Sequence, residues 1–212
     1  MKITRIKALC KEADRAMIYN HHGRQYLGML EAIYPADNIE ISKASIPTLF
    51  DMPDALNDLI VDEMVLEGSD LMPVAGFESV PFNELGKLFE TMAVNYLGAQ
   101  LVGMTCGPDI LFVQEKYLGA AEKTEGYQMY HLVHNEKGEP LVMISDGMMI
   151  TGIVRPITRR TVQSILEMMR GMINQQPCGS PDPGMRQEAD DQLPGQMHMD
   201  DVVEEGEDGK ES

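Results

Sequence analysis

Three cations near the start of the chain, Lys7, Lys11 and Arg15, recur every four residues. On a helix that spacing sets them one above another on a single face. Neighbours of like charge there repel by about a few tenths of a kcal/mol per pair. A phosphate backbone facing the stripe more than reverses that cost by releasing counterions. Taken alone, such a run is more often a solvated helix face.

Other residues with chemical capacity are less organised. His21 and His22 are adjacent in an expected turn, so their side chains are expected to diverge. His131 and His134 lie three apart on an expected strand, which puts them on opposite faces. Neither pair has ligand spacing, and no HExxH or CxxC accompanies them, so no metal is expected. Signatures of nucleophile elbows, phosphate loops and dinucleotide sites are absent, and Asp146 is explained by its turn, Ser145-Asp146-Gly147. No catalytic residue and no cofactor is therefore expected. The 18 methionines suit an irregular core or an adaptable surface. Met197-His198-Met199 is the single hint of a soft-metal cluster.

Composition narrows the setting. Acids outnumber bases 34 to 17, for a net charge of -17. The stretch 186–212 carries -8 of this, leaving the body at -9. Such a balance opposes nucleic-acid binding by bulk charge, so what matters is where the bases stand. Cys10, Cys106 and Cys178 are far apart and odd in number, which predicts a reducing, cytoplasmic compartment. The opening MKITRIKALCKEADRAM has no unbroken apolar core, and no segment approaches the ~18 apolar residues of a membrane span. Secretion and membrane partners are not expected.

The elements that must position these residues follow from periodicity. Residues 3–14 read as a helix, with Ile3, Ile6, Leu9, Cys10 and Ala13 on one face. Strands 15–20 and 25–34 flank a turn at His21-His22-Gly23-Arg24, and Pro35 ends the second. A short helix is predicted at 53–59, a strand at 61–66 and a loop from Gly68 to Pro81. Asn83 is expected to cap a helix over 84–97, with Leu85, Leu88, Phe89, Met92 and Tyr96 on its apolar side. Strands at 100–105 and 110–113, a short helix at 115–122 and a three-stranded meander through 127–155 come next. Thr158 is placed to cap a helix over 159–173, with Val162, Ile165, Leu166 and Met169 on one side. The resulting division is a first half 1–82, a second half 83–157, a terminal helix 158–173 and a disordered acidic tail 174–212.

The stretch 110–157 resembles the closing part of a domain of DNA polymerase sliding clamps. The resemblance is carried by Lys116-Tyr117-Leu118 opening a short helix, by Glu139-Pro140-Leu141-Val142-Met143-Ile144, and by Ile153-Val154-Arg155-Pro156-Ile157. It covers about 48 residues well, and the opening 35 loosely. A clamp chain of the bacterial type is much longer, so this one would supply little more than one domain, and a ring would need extra copies. That departure suits a small clamp encoded by a phage or mobile element. The resemblance implies an α+β fold, an antiparallel sheet with helices packed on one face, clamp-like. It also implies sequence-independent association with the backbone of double-stranded DNA, as a homo-oligomer serving a DNA polymerase or other replication protein. Lys7, Lys11 and Arg15 would then face phosphates, with Lys116 and Lys123 as weaker contributors. The alternative is a non-enzymatic phage accessory or regulatory module that binds another protein.

Overall fold

A computed structural model describes residues 2–37, 39–51, 59–74, 81–121 and 128–175. Residues 53–58 of the helix expected at 53–59, Lys123 and all of the expected tail beyond Gln175 lie outside these residues. Among the described residues no helix is long and apolar enough to cross a membrane. Cys10 and Cys106 are free thiols.

The apolar face of the first helix forms as the spacing predicts. In α1 (Ile3–Glu12), Ile6, Leu9 and Cys10 are buried. Full burial of side chains such as Ile6 and Leu9 contributes about 1.5–3 kcal/mol each. The helix stops short of Arg15, because Asp14 takes a left-handed backbone with φ 50. The amides of Ala13 and Asp14 bond back to Leu9 and Lys11, closing the last turn. Strand β1 (Arg15–His21) pairs antiparallel with β2 (Arg24–Gly28). Their turn has positive φ at both His22 and Gly23, the geometry that matches strand twist.

The single strand expected over 25–34 is two. Beyond Gly28 the chain turns through Met29–Glu31, with Met29 N–H bonded to Ala32 O at 2.9 Å. It returns as β3 (Ala32–Pro35), paired antiparallel with β2. A reversal this tight, with Glu31 as its one charged residue, interrupts the apolar run too briefly to show in periodicity. A one-turn helix, α2 (Ile46–Leu49), follows on the way to β4 (Ile60–Val65), which lies parallel to β1.

The larger correction is at 84–97. A short 3-10 turn (Phe82–Glu84) leads into β5 (Gly86–Tyr96), an 11-residue strand and not a helix. Its alternation is broken by a bulge between Glu90 and Met92. One extra residue reverses the parity of everything beyond it. Leu88 therefore packs on one side of the sheet, while Met92, Val94 and Tyr96 pack on the other. The bulge gives apolar positions at 85, 88, 92 and 96 a helical spacing. Leu97 and Gly98, both at positive φ, then form a tight hairpin turn into β6 (Ala99–Cys106). Strand β7 (Asp109–Gln114), the one-turn helix α3 (Glu115–Leu118), the meander β8 (Gln128–His134), β9 (Pro140–Asp146) and β10 (Met149–Val154), and helix α4 (Arg159–Gln175) complete the order. The Thr158 hydroxyl accepts the Thr161 N–H at 3.4 Å, as a cap there should.

The ten strands of the described residues belong to one sheet, in the order β4-β1-β2-β3-β10-β9-β8-β5-β6-β7, and the described fold up to Met172 is one compact unit. At its centre a unit occurs twice, a helix followed by a three-stranded meander: α1-β1-β2-β3 and α3-β8-β9-β10. The last strands of the two units pair antiparallel, Ile153 opposite Ile33 and Val154 opposite Ala32. This is the arrangement of a two-fold axis normal to the sheet, which reverses strand direction and keeps both helices on one face. One core does lie under α1 and α3, combining Ile6, Leu9 and Cys10 with Tyr34, Tyr117, Leu118 and Ile144. The opposite face holds Met17, Tyr26, Ile33, Met143 and Ile153 beneath Leu71 and Met72. Helix α4 does not join α1 and α3. Its Val162, Ile165 and Met169 pack with Leu101, Phe112 and Met92, on the reverse side of the strands that give Met104 and Val113 to the first core.

Candidate nucleic-acid interface

Helices α1 and α3 are neighbours because the chain is stitched between them. Lys2 N–H donates to Ala120 O at 3.2 Å. The Arg5 guanidinium donates to Gly119 O at 2.8 Å. A Cβ on Gly119 would sit 2.4 Å from that guanidinium, so glycine is what lets Arg5 come close. Below them Tyr34 donates its hydroxyl to Tyr117 O at 2.7 Å, tying β3 to α3.

The four expected cations among the described residues are distributed unequally. Lys11 is exposed on α1 and Lys7 is half-buried beside it, and neither has an ion pair among the described residues. Arg15 is the first residue of β1, off the helix, and lies 3.6 Å from Asp62. The three-cation helical stripe is thus a pair of lysines, because Asp14 ends the helix first. Lys116 does stand beside α1, but its ammonium bonds Glu12 at 2.7 Å and lies over the Tyr117 ring. The exposed pair Lys116–Glu12 contributes little to stability, about 0–1 kcal/mol.

Lys2 and Arg5, absent from the sequence expectation, are further cations, on the α3 side of α1. With Lys116 they line a cleft of about 1070 Å³ between α1, α3 and the β5–β6 hairpin. Glu12, Glu90 and Glu115 line the same cleft. The i, i+3 spacing of Lys2 and Arg5 was a usable signal. That α3 would come alongside was not available from spacing.

A hydroxyl–imidazole pair is also present, His131 Nε2 with Ser145 Oγ at 3.0 Å. Both residues are sealed from solvent, 2% and 0% exposed, so this contact is structural. Phe82 stacks on the His131 ring at 5.1 Å, and Nδ1 has no partner. Burial, with Lys87 opposite in register adding repulsion, holds this imidazole below its ordinary pKa. Below the unfolded value of about 6.5 the unfolded chain binds a proton that the fold resists, so stability falls as pH falls. The slope approaches about 1.4 kcal/mol per pH unit until the folded pKa is reached. Urea unfolding followed from neutral pH to pH ~5 should show this loss, and His131→Phe should flatten it. An identical slope in the variant would contradict the assignment.

The two expectations for paired histidines part ways. His131 is buried and His134 exposed, so these two do face opposite ways. His21 and His22 do not diverge: their ring centroids are 4.3 Å apart. Adjacency in a turn does not enforce divergence, because the positive φ at His22 brings its ring back over His21. No family model, no curated protein and no solved structure matches this chain.

Proposed function

We propose that this protein is a sliding-clamp-like, DNA-associated processivity or scaffold factor that meets duplex DNA through its α1–α3 layer without reading sequence. The observation that carries the reading is the doubled helix-plus-meander unit, whose two helices share one face of a continuous sheet. Lys7 and Lys11 supply phosphate contacts from one flank of α1, Lys2 and Arg5 from its α3 side, and such contacts position a protein without specifying bases. The acidic remainder repels DNA from other surfaces and confines it to this layer. Several copies are needed to enclose a duplex. The sheet ends in β4, where Ile60 and Val65 are 51% and 59% exposed, and unpaired edges of this kind template pairing between chains. A replication polymerase in a cytoplasmic setting is the partner such a factor would serve.

One observation favours a second reading. Glu12, Glu90 and Glu115 in the cleft beside the cations suit a basic protein segment as a partner. Fluorescence anisotropy of two unrelated duplexes, between about 50 and 200 mM salt, separates the two. Equal affinity for both sequences, declining steeply with salt, is expected. Failure to bind either duplex at the lowest salt would leave the protein-interaction module.

A further inference from the structure

We propose that His21, His22 and Glu67 form a binding site for a divalent transition-metal ion of the zinc type, at the tip of the β1–β2 hairpin. Neighbouring strands deliver the three residues. His21 ends β1 and is only 5% exposed, so its ring is fixed by the fold. Glu67 follows β4, the parallel neighbour of β1, and Leu66 N–H bonds Asn20 O at 2.9 Å to hold the two strand ends in step. His22 stands in the turn at φ 46 and is brought back over His21.

One ligand atom from each residue lies within 4.8 Å of the other two. His21 Nδ1 is 2.7 Å from Glu67 Oε1, and His22 Nε2 is 3.8 Å from the same oxygen. Tetrahedral zinc, with bonds of about 2.0–2.2 Å, separates its ligand atoms by roughly 3.3–3.6 Å. The first distance must open by roughly 0.6–0.9 Å and the second close by roughly 0.2–0.5 Å, shifts within reach of an exposed carboxylate and an exposed ring. The ion takes the place of the hydrogen now shared between His21 and Glu67. A hydrogen-bonded imidazole–carboxylate pair needs only one histidine. The second ring, with its side chain 80% exposed, contributes little packing where it stands, yet it converges on the same oxygen.

Donor chemistry selects the ion. Two imidazoles with one carboxylate suit zinc and its first-row neighbours, whereas magnesium and calcium prefer all-oxygen sets. Three protein ligands leave a fourth position, which opens to solvent on the His22 side and would hold water. The ion would tether the hairpin turn to the end of the edge strand β4, far apart in sequence.

Titration calorimetry of zinc chloride into the full chain tests the site. One equivalent is expected to bind and to raise the melting temperature by mass action. His22→Ala and Glu67→Gln alter exposed groups, and each should weaken binding by at least about tenfold, since even outer-shell partners are worth that much. His198→Ala, which breaks the Met197-His198-Met199 run of the sequence, should leave the binding unchanged. No heat of binding at submillimolar zinc would overturn the proposal. Equal affinity in the wild type, His22→Ala and Glu67→Gln would overturn it as well.

Discussion

Reversing both lysines, Lys7→Glu with Lys11→Glu, is expected to abolish salt-sensitive association with duplex DNA while the fold survives. Lys11 is exposed and Lys7 half-buried, neither is among the buried residues of α1, and the described structure gives them no acidic partner to release. Surface changes of this kind usually alter stability by no more than about 0.5 kcal/mol. Removing one lysine–phosphate interaction makes the slope of log K against log salt shallower by about 0.9. The double variant should therefore show a slope reduced by roughly two units per bound copy. Affinity at ~50 mM salt should fall at least tenfold, because the new carboxylates repel the backbone. Arg15→Ala should have a weaker effect, since Asp62 already engages that guanidinium. Unchanged affinity in the double variant, with an unaltered circular dichroism spectrum, would remove the basis for the DNA reading.

Gly28→Ala is expected to cost about 3 kcal/mol or more of folding stability, a large part of the 5–15 typical of a domain. The backbone of Gly28 is not in the left-handed region, so the argument concerns space alone. A Cβ built there would lie 2.0 Å from Ala32 O and 2.9 Å from Ile33 Cα. Both are backbone atoms of the paired strand β3, and neither can swing aside as a side chain would. The β2–β3 hairpin would have to open, and with it the approach of Cys10 Sγ to Gly28 O at 3.4 Å. Burial pushes the Cys10 thiol up to about 12, so it stays protonated in that contact. Thermal unfolding should shift down by roughly 10 °C, at 2–4 °C per kcal/mol for a chain of this size. Gly23→Ala is the contrast. Gly23 has open space around it but a φ of +80, so only backbone strain of about 1 kcal/mol is expected. Near-equal melting temperatures for the two variants would show that the hairpin yields more easily than these distances allow.

Short-range pattern carried much of this protein. The apolar face of α1, the His22-Gly23 turn, the meander from β8 to β10 and the Thr158 cap were each readable because every determinant lies within a few residues of its effect. Where one residue interrupts a period, pattern misleads. The bulge at Thr91 made β5 look helical, Gly28 concealed a chain reversal in an apolar run, and Asp14 ended α1 before Arg15 could join its lysines.

What the amino-acid order determined by itself was the kind of most elements and the face each must bury, since both depend on spacing along the chain. Tertiary structure alone decided which elements became neighbours. It set β3 against β10 to create the doubled unit, sent α4 to the reverse face from α1 and α3, brought Glu12 to Lys116, and carried Glu67 to the two histidines through the parallel pairing of β4 with β1. Those outcomes rest on burial and strand pairing between residues tens of positions apart, and no local period encodes such pairings.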